Sequence, residues 1–396
     1  MNETERIISE HDQFVLQTYT RNPVAAVRGE GSWIWDAEGK KYLDFFPGWG
    51  VSGLGHCHPR VVDAVREQAG KLLHMPNNFY NELAGRLARI IIEKSFPGRA
   101  FFGNSGAEAN EGAIKLARRF GEPDGRFEIL TMKASFHGRT LTTVTATGQE
   151  KYHSGFGPLP PGFRYLPFND IEALRGAVSE KTVAVMLELI QGEGGVHPAS
   201  GDYARAVREI CDAENMLMIV DEVQTGMGRT GDYFAFQGYG IVPDLMTLAK
   251  ALGGGLPIGA LVVKEEFAGF LPPGTHASTF GGSPVVCAAA LAVFAAMEEE
   301  GVIENVRQQG AYLRGELENL AADFPLIKEV RGKGLMLGME LDREGKPIVD
   351  RCLEKGMIVN CTAGNVLRVM PACNIAREEI DRAVGILREA LDEETK

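Results

Sequence analysis

The chain has 396 residues, 44% of them hydrophobic and 24% charged, which is long enough for a large core and two domains. A net charge of −12 excludes a nucleic-acid surface and gives no attraction to membranes. Six cysteines without CxxC spacing point to neither a disulfide framework nor a zinc knuckle, so a reducing cytoplasm is expected.

The start, Met1-Asn2-Glu3-Thr4-Glu5-Arg6, is charged and has no apolar signal core, and no run reaches transmembrane length. Residues 1–50 read as an arm: a short helical stretch, then 31–36 and 41–45 around a Glu38-Gly39 turn, predicting a hairpin. Asp44, Trp49 and the pair Gly48 and Gly50 read as packing and turn residues. His56-Cys57-His58 precedes Pro59 with no third ligand cluster in sight, and is taken as a loop-to-helix junction rather than a metal site.

From there to residue 285, apolar strand candidates at 127–132, 182–188, 217–221 and 258–264 alternate with helical runs such as 201–214. That alternation predicts an α/β domain: a doubly wound, mostly parallel sheet covered on both faces. Asn104-Ser105-Gly106-Ala107-Glu108 opens a helix, and Ser105 with Glu108 matches the S-x-x-E capping box. The same turn leaves the Gly106 and Ala107 N–H groups free at a helix N-terminus, where they can hold a phosphate.

The loop after 127–132, Ser135-Phe136-His137-Gly138-Arg139-Thr140, falls at the carboxyl edge where ligands collect. Phe136 can stack on a flat ring and Arg139 can grip a carboxylate through two donors. After 182–188 comes Gln191-Gly192-Glu193-Gly194-Gly195, whose glycines keep the surroundings of Glu193 open. Gly226-Met227-Gly228-Arg229-Thr230-Gly231 matches the G-x-G-x-x-G dinucleotide pattern. The aromatic, glycine-broken stretch behind it is no helix, so this is read as a chance match in a loop.

Two strand tips carry the chemistry. Met216-Leu217-Met218-Ile219-Val220 ends in Asp221, and Leu245-Met246-Thr247-Leu248-Ala249 ends in Lys250 before three glycines. An amine and a carboxylate so placed are what pyridoxal phosphate requires. The amine forms a Schiff base with its aldehyde, and the carboxylate keeps its pyridine nitrogen protonated. A snorkelling lysine at a strand end is the ordinary alternative for Lys250 alone.

Beyond residue 285 the texture changes: helical runs at 284–300 and 303–322, strands at 334–341, 357–360 and 365–370, and a last helix at 377–393. Residues 286–396 are thus expected to form a smaller α+β domain, with 51–285 as the large cofactor-binding domain. Arg368, flanked by apolar residues in 366–370, needs a partner, and Glu193 is the plausible one.

These segments together resemble the class III pyridoxal-phosphate aminotransferases nearly from end to end. The resemblance rests on Trp33-Ile34-Trp35-Asp36, 104–111, 136–140, 191–195, Asp221-Glu222-Val223-Gln224-Thr225-Gly226, Lys250, Thr279-Phe280-Gly281-Gly282 and Asn365-Val366-Leu367-Arg368. It implies the type I fold of pyridoxal-phosphate enzymes and a homodimer with its active site at the interface. For the cofactor it implies Ser105, Gly106, Ala107, Phe136, Asp221, Val223, Gln224 and Lys250, with Thr279 reaching the neighbouring subunit's phosphate. Gln224 is expected near the phenolic oxygen.

Lys250, Asp221 and Glu193 are the implied catalytic residues; Arg139, Glu193, Ser278, Arg368 and Tyr19 are the implied substrate contacts. The implied reaction moves the terminal amine of N-acetylornithine, or a close ω-amino donor, to 2-oxoglutarate, as in arginine biosynthesis. The chain departs from the family pattern at Leu189, Ala277, Ser283 and Pro371-Ala372-Cys373-Asn374. Donors of the 4-aminobutyrate, ornithine and succinylornithine type therefore stay open, as does an isomerase or decarboxylase on the same scaffold.

Overall fold

A computed structural model describes residues 1–395. Its main sheet has seven strands in the order Gly98–Gly103, Gly259–Lys264, Leu245–Leu248, Leu217–Asp221, Thr182–Leu187, Glu128–Met132 and Phe163–Leu166. All run the same way except Gly259–Lys264, which is antiparallel to both neighbours. The central strands are mostly apolar because both faces are covered, and Thr182–Leu187 and Leu217–Asp221 are buried at every residue. Successive side chains feed opposite cores: Met218 and Val220 join the larger cluster, while Leu217 and Ile219 join the smaller one under the helix Gly106–Gly121.

A second, antiparallel sheet has the order Ile327–Lys333, Met336–Leu341, Val366–Val369, Asn360–Thr362. A third contains Ala26–Glu30 and the expected hairpin, formed by Trp33–Asp36 and Lys41–Asp44. Met357–Ile358, from far along the chain, completes that third sheet parallel to Lys41–Asp44.

The single strand expected at 357–360 is therefore two. Met357–Ile358 belongs to the arm's sheet and Asn360–Thr362 to the C-terminal one. Between them the chain changes hydrogen-bond partner while Val359 stays in the core. Ile327–Lys333 was not foreseen because a register irregularity between Ile327 and Glu329 breaks its two-residue period.

Residues 226–231 form consecutive turns and open no helix, so no dinucleotide-type strand–turn–helix exists there. Among the described residues no helix is long and apolar enough to cross a membrane.

Candidate active site

A parallel sheet gathers its strand ends at one edge, and that edge borders a cavity of about 470 Å³. Its lining includes Asn104 to Ala107, Phe136 to Arg139, Glu188, Glu193, Asp221, Val223, Gln224 and Lys250. The strand ends expected to meet do meet.

Asp221, buried at its strand tip, is held by three donors. Asn110 Nδ2 and His137 Nδ1 both lie 2.8 Å from Oδ2, and the Val223 N–H donates to Oδ1 at 3.0 Å. Asn110 is fixed in turn, donating to His137 O at 2.7 Å and accepting from Thr247 Oγ1 at 2.7 Å. With Nδ1 facing a carboxylate, His137 keeps its proton there, and its buried Nε2 has no partner among the described residues.

Glu188 follows the buried strand Thr182–Leu187 and accepts from the Phe136 N–H at 2.9 Å and the Gly192 N–H at 3.3 Å. Burial pushes its carboxyl up to about 7, the His137 side opposing this and the Asp221 charge adding to it. One carboxyl thus joins the loop bearing Phe136 to the loop bearing Glu193.

Lys250 leaves Leu245–Leu248 in a left-handed conformation, φ 48°, uncommon for a residue with a side chain. Its amine donates to no group among the described residues. Burial draws the ammonium below the usual lysine range, Glu193 opposes this, Arg368 reinforces it, and Asp221 and Glu188 oppose it again. A lysine leaning towards its neutral form is a nucleophile in waiting.

The helix Gly106–Gly121 points its N-terminus at the same cavity. The capping box is half formed. Ser105 Oγ accepts from the Glu108 N–H at 3.2 Å, but the Glu108 carboxylate turns to Asn104 instead of Ser105. Among the described residues the Gly106 and Ala107 N–H groups have no partner, as an anion site requires. A Cβ on Gly106 would lie 2.8 Å from both methyls of Val223, so only glycine lets the helix end approach that wall. Free N–H donors, a strand-tip carboxylate, an unpaired amine and the apolar Phe136 and Val223 form a donor set that fits pyridoxal phosphate.

The two arginines differ in preparation. Arg139 is exposed beside the cavity, with its guanidinium carbon 4.0 Å from the ring centroid of Tyr152. Arg368 is buried, donating to Glu193 Oε1 at 2.7 Å, to Gln224 Oε1 at 3.3 Å and to Asn360 Oδ1 at 2.9 and 3.2 Å. Glu193 lines the cavity; Arg368 lies behind it. Burial alone would raise the Glu193 carboxyl, but the charge and hydrogen bond of Arg368, helped by Lys250 and Gln224, bring it below the usual range. Gln224 Nε2 is engaged by Trp49 O at 3.2 Å.

Three expected residues lie elsewhere. Tyr19 is exposed in the arm, away from the cavity lining. Ser278 accepts from Asn104 Nδ2 at 3.1 Å, and it and the exposed Thr279 border a separate hollow with Glu108, Glu111 and Phe280. Reading the sequence missed Glu188, Asn110 and the role of His137. Glu188 stands at a strand tip just as Asp221 does, and Asn110 interrupts an alanine-rich helix face; those were the available signals.

The family model described as aminotransferase class-III matches residues 15–391. The acetylornithine aminotransferase of Caldanaerobacter subterraneus subsp. tengcongensis is 53% identical over 391 residues, covering 98% of this chain and 99% of the relative. Among solved structures, the ornithine aminotransferase from Toxoplasma gondii ME49 superposes with a TM-score of 0.96 at 33% identity, covering 100% of this chain and 97% of that one. The acetylornithine aminotransferase from Elizabethkingia anophelis gives 0.89 at 32% identity, covering 99% and 100%.

Proposed function

This chain belongs to the class III aminotransferases, enzymes dependent on pyridoxal phosphate, and we propose that it moves the terminal amine of N-acetylornithine to 2-oxoglutarate, yielding a semialdehyde and glutamate. A close ω-amino donor is the alternative, ornithine foremost, because an ornithine aminotransferase shares the fold at a TM-score of 0.96. The setting proposed is arginine biosynthesis in the cytoplasm. The proposed units are the arm (1–50), a large domain (51–285) and a small domain (286–396). The main sheet's strands all fall within the second range and the antiparallel sheet's within the third.

One observation carries the substrate reading: one arginine is open and the other is covered by a carboxylate. An enzyme alternating between a donor with one free carboxylate and glutamate with two needs a second guanidinium only half the time. An unpaired buried guanidinium costs several kcal/mol, so Glu193 is its partner whenever the acylated donor is bound.

Bound pyridoxal phosphate supplies an aldehyde that condenses with amines and a ring that stores an electron pair. Gly106 and Ala107 would hold its phosphate, and Phe136 and Val223 its ring. Asp221, steadied by Asn110 and His137, would keep a proton on the ring nitrogen. Lys250 Nζ would take the proton from the substrate's amine-bearing carbon and carry it across to the cofactor side rather than back to that carbon. Arg139 would grip the donor's α-carboxylate, and Glu193 would turn off Arg368 when glutamate's second carboxylate arrives.

A homodimer with shared active sites is part of the proposal. Leu73, Phe79, Tyr80 and Phe280 are exposed, the His74 ring lies tilted against Phe280 with centroids 5.2 Å apart, and Asn77 Nδ2 donates to Gly281 O at 2.9 Å. This apolar rim beside Ser278 and Thr279 suits a second copy of the chain. The deciding experiment is a panel of amines with 2-oxoglutarate. Fastest turnover with N-acetylornithine supports the reading, whereas preference for a donor without an α-carboxylate overturns it.

A further inference from the structure

The guanidinium of Arg139 has no acidic or carbonyl partner among the described residues. It lies over aromatic rings instead, 4.0 Å from the centroid of Tyr152 and 5.5 Å from that of Phe136. The rings meet edge to face, centroids 5.7 Å apart and planes at 83°. A ring face attracts the cation through its quadrupole. It also leaves the N–H donors free, since these point outward in the guanidinium plane. The Tyr152 hydroxyl makes no hydrogen bond among the described residues, so the ring does the work.

Tyr152 is fixed relative to Arg139. It ends a short 3-10 turn, Glu150–Tyr152, sewn to the arginine's own loop. Gln149 Nε2 donates to Ser135 O at 2.9 Å, the Gly148 N–H donates to Ser135 Oγ at 3.0 Å, and His153 Nε2 lies 2.8 Å from Thr147 O. Lys151 Nζ, 4.8 Å from the same ring centroid, adds positive potential.

We infer that Tyr152 is a positioning residue that holds Arg139 extended and unpaired, ready for a substrate carboxylate; this rests on the proposed role of Arg139. The alternative support, a protein carboxylate, would have to be displaced by every substrate in both half-reactions. Arg368 tolerates such a mask because it is needed in only one of them. An aromatic support orders the side chain without competing for its donors.

The holoenzyme variants Tyr152→Leu and Tyr152→Phe test this, with cofactor absorbance and melting temperature confirming the fold. Tyr152→Leu should raise KM for both the donor and 2-oxoglutarate by about tenfold, within the roughly 2- to 30-fold span of such contacts, and change kcat by less than about twofold. Tyr152→Phe should keep both KM values near the parent's. In an Arg139→Ala background, Tyr152→Leu should cost nothing further, a non-additivity that a general packing role would not produce.

If Arg139→Ala leaves both KM values unchanged, the carboxylate-binding role itself fails. If Arg139→Ala raises them and Tyr152→Leu does not, the aromatic support alone is overturned. Additive losses, or Tyr152→Phe behaving like Tyr152→Leu, overturn it equally.

Discussion

Glu193 Oε1 accepts a hydrogen bond from Arg368 Nη1 at 2.7 Å, and of the two only Glu193 borders the cavity. The loop beneath the carboxylate is pinned: Thr362 Oγ1 donates to Glu193 O at 2.6 Å, and Arg331 Nε and Nη2 donate to Gly195 O at 3.0 and 2.8 Å. Uncovering Arg368 is therefore a matter of side-chain rotation.

Glu193→Ala should leave Arg368 uncovered, with Asn360 and Gln224 still holding it. Glutamate and 2-oxoglutarate should bind as well as before or better. The N-acetylornithine half-reaction should slow by about tenfold or more, because the acylated tail meets an uncompensated charge. Single-turnover kinetics of the separate half-reactions check this, and equal losses in both would mean that no switch exists.

Asp221→Asn should retain cofactor absorbance yet lose several orders of magnitude in turnover, because a neutral amide no longer stabilises a protonated ring nitrogen. Near-parental turnover would place the controlling carboxylate elsewhere, with Glu188 the first candidate.

Borohydride reduction followed by peptide mapping should find the pyridoxyl adduct on Lys250 and not on Lys264. Lys250→Ala should abolish transamination without lowering the melting temperature of the cofactor-free protein. The amine makes no hydrogen bond among the described residues and burial opposes its charge, so its removal costs no structure. A large drop in melting temperature would assign Lys250 a structural role.

Glu188 predicts a pH dependence of stability. Its carboxyl rises from 4.5 to about 7 on folding, so between those values the folded chain keeps a proton that the unfolded chain has released. Stability from this group is present below pH 4.5, falls as pH rises through the window, and is fully lost above about 7, amounting to roughly 3 kcal/mol at about 1.4 kcal/mol per unit. Urea unfolding of cofactor-free protein at pH 5 and pH 7.5 should show a smaller difference for Glu188→Gln than for the parent. Identical differences would sink the assignment.

The sheet was legible where a strand is an unbroken apolar run, as at 217–220, since two buried faces favour apolar side chains at successive positions. Lys250 and Asp221 were legible because a charge ending such a run has nowhere to be except an edge. The partners of Asp221 were not. Asn110, His137 and Asp221 are brought together from three elements, and nothing local marks an amide on a helix as the fixer of a distant carboxylate. Tyr152 escaped for the same reason, its ring being defined by a guanidinium thirteen residues away in sequence and reached only through the fold.

The short parallel pairing of Met357–Ile358 with Lys41–Asp44 has a consequence for how the chain is made. Strands emerging first from the ribosome must wait for about three hundred further residues before their last neighbour exists, and such distant pairings close slowly. Until then the hairpin exposes the edge of Lys41–Asp44, with Tyr42 and Leu43 uncovered. A nascent chain stalled before residue 357 should thus carry a sticky, protease-sensitive arm that vanishes once synthesis passes that point.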